Sequence, residues 1–179
     1  MAAVTAVGCA GMALRFGPVA EAVPYLLVVP LGCLLAAIDL ACLRLPETLV
    51  WPAVAVAVVG FGVLALVSGD GWPLLAGVIG GLALASAYLL LALLPGGQLG
   101  LGDVTLALLL GLFLGRLGPA AVVLGGMVPF LINVPVALWA LAVRREGRGA
   151  DLPFGPAMLV GSYLVVVAAP ELATFLTRG

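Results

Sequence analysis

Three observations predict an all-α fold, a polytopic bundle of transmembrane helices. Of 179 residues, 65% are hydrophobic and only 8% charged, against about 25% charged in an ordinary soluble domain. A soluble fold of that composition would expose a large apolar surface and aggregate, so the main solvent of this chain is lipid. The apolar residues also fall into runs close to the ~20 residues that a helix needs to cross a bilayer core.

Residues 1–14 are apolar with no basic stretch ahead of them, which reads as a short first helix rather than a signal peptide. Residues 1–17 are an N-terminal segment of uncertain role. Six hydrophobic segments follow, at about 22–42, 48–67, 73–94, 103–117, 119–143 and 153–176. Leu45-Pro46-Glu47-Thr48 stops one helix and starts the next, with Thr48 as the expected cap. Ser68-Gly69-Asp70-Gly71 is a tight polar turn, and Pro95-Gly96-Gly97-Gln98 a flexible link ahead of the short fourth segment. Arg144 to Asp151 is the most charged stretch and reads as a loop. Gly77 with Gly81, and Gly111 with Gly115, stand four residues apart, the spacing at which helix backbones approach closely in membranes. Asn133, between Pro129 and Pro135, is expected to hydrogen-bond between helices. No second domain is marked, so residues 1–179 read as one domain.

Missing residue types narrow the chemistry. Without His, the Ser-His-Asp and Cys-His arrangements, imidazole-ligated metals and imidazole proton shuttles are excluded. Without Lys, so are a Ser-Lys dyad, a Schiff base and a P-loop. Cys9, Cys33 and Cys42 form no CxxC pair; Cys33 and Cys42 are half a turn out of phase on a helix. All three read as small buried hydrophobes, and no metal or cofactor is expected. A net charge of −1 leaves no footprint for nucleic acid.

Carboxylates remain for acid–base work, and two stand out. Asp39 follows the apolar run 22–38, and Asp103 closes Leu99-Gly100-Leu101-Gly102-Asp103 at the head of another. An ionised carboxylate in hydrocarbon costs at least roughly 2.5–3.5 kcal/mol, so such residues usually mark function. Between Asp39 and Asp103 the chain crosses out and back, which sets both near one face. Arg44, Arg144, Arg145 and Arg148 lie on that face, and Arg15, Arg116 and Arg178 on the other. This bias favours the aspartate face as cytoplasmic. Two blander readings stay open: Asp103 as a helix cap alone, and Asp39 as a partner of Arg44 alone.

Three segments carry a family resemblance. Asp39-Leu40-Ala41-Cys42-Leu43-Arg44-Leu45-Pro46-Glu47-Thr48-Leu49 resembles the first aspartate segment of the type IV prepilin peptidases. Gly100-Leu101-Gly102-Asp103-Val104-Thr105-Leu106-Ala107 is similar to their GxGD segment, and Pro153-Phe154-Gly155-Pro156 to the proline-rich segment that opens their last helix. The order and separations match across roughly residues 22–176. Thr105 stands where the family usually has Lys, and Glu47 where it commonly has Asp or Asn. The CxxC-bearing insertion of the bifunctional members is not present, so the resemblance is to the short members.

The resemblance implies a membrane-embedded aspartic endopeptidase of the bacterial plasma membrane. It would cut the leader of type IV or Flp-like prepilins at the cytoplasmic face and would have no methyltransferase activity of its own. Asp39 and Asp103 would be the catalytic pair, with Gly100, Gly102, Arg44 and Glu47 near the substrate, a prepilin-like membrane protein held in the same bilayer. Two carboxylates sharing one proton can activate water without a metal. The alternatives are a proton-coupled or small-solute transporter, which also keeps sparse intramembrane carboxylates, and a non-catalytic assembly factor of a pilus or secretion system.

Overall fold

The computed structural model describes residues 2–16, 21–42, 45–94, 99–144 and 153–178, with 136–144 and 170–178 described by backbone alone. These residues form seven helices and no strand: α1 (Ala2–Phe16), α2 (Ala22–Cys42), α3 (Glu47–Ser68), α4 (Trp72–Leu93), α5 (Leu101–Gly115), α6 (Pro119–Arg144) and α7 (Gly155–Arg178). Each hydrophobic segment of the sequence has become one helix, with ends displaced by two residues or fewer. Among the described residues, α2, α3 and α4 are long and apolar enough to cross a membrane. The apolar stretches Ala2–Phe16, Leu101–Gly115, Pro119–Pro135 and Gly155–Ala169 are shorter.

Helix α5 is the centre of the bundle. Ten of its fifteen residues are buried, Thr105 to Ala107 and Leu109 to Gly115, as expected of a helix that is apolar on every side. The other helices bury one stripe and turn large apolar side chains outward, among them Leu27, Leu34, Val59, Leu66 and Leu90. That exterior suits lipid rather than water.

The closest helix pair is α4 against α5, and glycine makes it so. A Cβ on Gly80 would stand 2.6 Å from Gly115 Cα and 2.8 Å from Gly111 O; one on Gly111 would stand 2.6 Å from Gly80 O. Gly77 and Gly81 face Leu112 O and Leu108 O in the same seam. Lipid offers no hydrophobic drive for helix association, so this backbone approach supplies the packing instead. The four-residue steps seen in the sequence were the right ones, and Gly80 adds a fifth position.

Away from the aspartates the bundle is closed by an aromatic cluster. Tyr25 packs on Phe16, Phe113 and Phe61 with centroids at 4.4, 4.9 and 6.0 Å, and its hydroxyl donates to Phe113 O at 3.0 Å. Arg116 lies over the Phe61 ring at 4.4 Å, and Arg15 over Phe16 at 5.0 Å. A guanidinium on an aromatic face keeps its charge in a favourable setting at the apolar rim.

Some local expectations hold and some do not. The turn after α3 is as expected: Gly69 is left-handed at φ 70°, and Asp70 Oδ1 accepts from Trp72 N at 2.9 Å. Thr48 is not the cap of α3. Pro46 holds that position with φ −73° and no side-chain cap bond, so Thr48 falls within the first turn. The cysteines are free but not deeply buried; Cys9 and Cys33 are half-buried and Cys42 is exposed. A lipid-facing surface tolerates a small apolar thiol, so burial is not required of them. Asn133 Nδ2 is buried and finds no acceptor among the described residues. The link at 95–98 and the charged stretch from Arg145 to Leu152 lie outside the described residues, and Arg144 ends α6.

Candidate active site

Asp39 lies one turn before the end of α2 and is 4% exposed. A carboxylate that deep needs a donor, and the first residue of α7 supplies it: Gly155 N donates to Asp39 Oδ2 at 2.9 Å. The amide of a helix's first turn has no partner within its own helix, and the positive end of the helix favours an anion there. Gly155 must be glycine for this approach. A Cβ would stand 2.7 Å from Asp39 Oδ2 and 2.7 Å from Leu45 Cδ1.

Asp103 is the third residue of α5. Its Oδ2 accepts from Gly100 N at 3.0 Å, while Asp103 N donates to Gly100 O at 3.0 Å. The capping role is therefore real. It does not use up the side chain, because a carboxylate has about four lone-pair sites and this bond takes one.

Leu45 ties the two aspartate segments together. A Cβ on Gly102 would meet Leu45 Cβ and Leu45 O, each at 2.8 Å, and the Leu45 side chain reaches Gly155 at its far end. The segment after Asp39, the glycine before Asp103 and the start of α7 thus meet at one end of the bundle. Asp39, bonded to Gly155, and Asp103, which follows Gly102 in the chain, both lie at that end. This agrees with the out-and-back topology argument, which set both near one face.

Other expected residues fall as follows. Gly100 is the exposed N-cap of α5, and Gly102 is pressed on Leu45. Glu47 is the exposed first residue of α3. Arg44 lies outside the described residues, and so does its pairing with Asp39. Thr105 is buried at 8% exposure, and its hydroxyl donates to Leu101 O at 2.9 Å within α5. It turns back on its own helix and offers nothing to a ligand.

Sequence reasoning missed the residues that seat the site. Phe154 packs at a tilt on Phe130 and Tyr88 at centroid distances of 5.0 and 6.1 Å, and Tyr88 on Phe130 at 5.7 Å. The Tyr88 hydroxyl donates to Gly126 O at 3.1 Å. This aromatic wedge joins α4, α6 and the lead-in to α7, and so holds Gly155 against Asp39. Only the PFGP segment hinted at it. Among the described residues, no three His, Cys, Asp or Glu side chains gather as a metal set.

The arrangement is two carboxylates at one end of the bundle, each accepting from one backbone amide. It can take up, hold and pass a proton. Searches against family models, curated proteins and solved structures found no match to this chain.

Proposed function

We propose that this protein is a membrane-embedded aspartic endopeptidase similar to the short type IV prepilin peptidases, with Asp39 and Asp103 as its catalytic pair. One observation carries the reading: Leu45 packs on both Gly102 and Gly155, so the three segments of the resemblance converge at the end of the bundle that holds both aspartates. A transporter would not need that convergence; a non-catalytic assembly factor that kept the fold would share it, and the aspartate substitutions below separate the two.

The chemistry follows from the pair. Like charges at close range do not both ionise easily, so the two carboxylates hold one proton between them. The ionised member takes a proton from water as the oxygen attacks the scissile carbonyl, and the protonated member gives its proton to the carbonyl oxygen. Collapse of the tetrahedral intermediate breaks the C–N bond: the leaving amine takes the proton gained from water, and a hydroxyl of the gem-diol returns a proton to the other carboxylate as the carbonyl re-forms. The amides of Gly155 and Gly100 keep the two side chains in fixed rotamers, so little ordering remains to be done as the reaction proceeds.

Depth fits this work. Fifteen residues make α5 about 22 Å long, short of a ~30 Å hydrocarbon core. If its C-terminal end, beside Arg116, reaches one interface, Asp103 starts below the other. The substrate would be a prepilin-like protein whose leader ends close to the start of its hydrophobic helix, and the arginine bias sets the cut on the cytoplasmic side. In this reading α2 to α7 are the six spans, in a bacterial plasma membrane.

The test is processing of a reporter: a short basic leader ending in Gly, followed by a hydrophobic single-span helix, coexpressed with the protein. Asp39→Asn and Asp103→Asn keep an oxygen that can accept the Gly155 and Gly100 bonds, so the fold is preserved while the proton chemistry is lost. Each is expected to cut cleavage by about 100-fold or more at normal membrane level. Full processing by either variant would end the proposal.

A further inference from the structure

We propose that Leu45 sets the specificity of the site by admitting only a small side chain on the residue whose carbonyl is attacked; this rests on the peptidase reading above. Leu45 touches both aspartate segments. A Cβ on Gly102, the residue before Asp103, would stand 2.8 Å from Leu45 Cβ and 2.8 Å from Leu45 O. The place of a Cβ on Gly155 is 2.7 Å from Leu45 Cδ1 and 2.7 Å from Asp39 Oδ2. Those two atoms are therefore at most twice 2.7 Å apart. A carbon lying between them would need about 3.5–4.0 Å to each, and that gap does not give it. On this flank of Asp39, the space is already taken by leucine.

The base of Leu45 is fixed and only its tip can turn. It precedes Pro46, and a residue before proline is kept out of the helical region. Pro46 is itself extended, at φ −73° and ψ 109°. The Cβ of Leu45 rests on the backbone of Gly102, which has no side chain to move. Leu45 is nonetheless only half-buried, so part of it stays open at the end of the bundle that holds the aspartates. The chain has glycine at both places that Leu45 meets, 102 and 155. One side chain thus governs how much room is left beside Asp39.

The chemistry decides which part of a substrate meets it. The carbonyl carbon must come within reach of water held by the acids. The Cα on the acyl side is bonded directly to that carbon, whereas the Cα on the amine side is set off by the nitrogen. The acyl-side side chain therefore lies nearer the Leu45 tip. Glycine passes freely, and a methyl is met by rotation of the tip. A branched side chain overlaps the fixed base. Discrimination of this kind works by exclusion, so trimming Leu45 widens the range of substrates.

The experiment uses the full chain in detergent and three forms of the single-span reporter, with Gly, Ala or Val as the last residue of the leader. Initial rates are compared on one preparation, so their ratio does not depend on the fraction of folded protein. The wild-type chain is expected to cut the Gly reporter about 100-fold faster than the Val reporter, with Ala between them. Leu45→Ala vacates roughly the volume that Val adds to Gly, and should narrow the Gly-to-Val ratio by about tenfold or more. Leu45→Met keeps the volume and should keep the ratio. Should Leu45→Ala yield no active protein, Leu45→Val carries the same test. It keeps the Cβ on Gly102, lacks the tip at Gly155, and should narrow the ratio by about threefold. A Gly-to-Val ratio unchanged in these variants, or a wild-type chain that cuts both reporters alike, would overturn the role of Leu45 and leave the peptidase reading standing. A wild-type chain that leaves the Gly reporter whole would defeat the peptidase reading, and this inference with it.

Discussion

Gly155→Ala isolates the contact on which the geometry of the site turns. The new methyl would stand 2.7 Å from Asp39 Oδ2, 2.7 Å from Leu45 Cδ1 and 3.2 Å from Asp39 Cγ. Leu45 Cδ1 is the tip of a flexible side chain and can swing aside. The carboxylate has no such freedom, being 4% exposed and tied to the amide that carries the methyl. Moving from 2.7 Å to an ordinary 3.4 Å contact displaces it by 0.7 Å. That stretches a charge-assisted hydrogen bond whose net worth is about 1.5–3 kcal/mol. A misplacement near 1 Å costs about 100-fold in a positioned reaction, so the turnover rate should fall about 10- to 100-fold. Gly155 is not left-handed, so alanine adds no backbone strain that could unfold α7 and confuse the result. The assay is initial-rate cleavage of the single-span reporter by purified protein in detergent, with the thermal midpoint read on the same sample. Gly62→Ala is the control, because nothing lies within 4 Å of its Cβ position. Full turnover by Gly155→Ala would show that the Asp39 position does not govern catalysis, and the proposed site would lose its main support.

Two further outcomes test the scaffold and the departure at residue 105. Gly80→Val puts a branched side chain against Gly115 Cα and Gly111 O, backbone that cannot rotate away. Overpacking of this kind costs about 1–3 kcal/mol, so the thermal midpoint in detergent should drop clearly; an unchanged midpoint would show that α4 and α5 do not meet as closely as described. Thr105→Val removes only the hydroxyl bond to Leu101 O, a loss of about 1 kcal/mol in stability. Reporter cleavage should stay within twofold, and a tenfold loss would mean that the hydroxyl turns outward to work on substrate.

The fold was legible because hydropathy, proline and glycine act locally. Pro46, Gly69 and Pro119 mark helix ends, although Pro30, Pro52, Pro129 and Pro135 lie inside helices, and each apolar run became one helix. Length was less legible. The α5 segment reads as a short span, but that it is buried on every side depends on glycines 77, 80 and 81 of another helix. The cysteines show the same limit from the opposite direction. In water a small apolar residue is driven inside, whereas at a lipid surface it has no such drive, so composition alone mislaid Cys42.

The site was legible in its carboxylates and not in its supports. Asp39 and Asp103 stand out because an acid among apolar residues is costly wherever the chain goes. Gly155 and Leu45 have no such mark, since their roles arise from contacts far apart in sequence: Gly155 N and Asp39 Oδ2 are 116 residues apart. Asp103 shows why the capping and catalytic readings were never true rivals. Its bond to Gly100 fixes the carboxylate at the head of α5 and leaves its other lone pairs free. The bond from the N3 side chain to the Gly100 amide needs only an acceptor, and the Oδ1 of Asn supplies one. Proton transfer needs a group that ionises, which Asn does not. Were capping the whole of its role, Asp103→Asn would be silent in stability and in cleavage alike. If both roles are real, the same substitution leaves the helix standing and abolishes the chemistry.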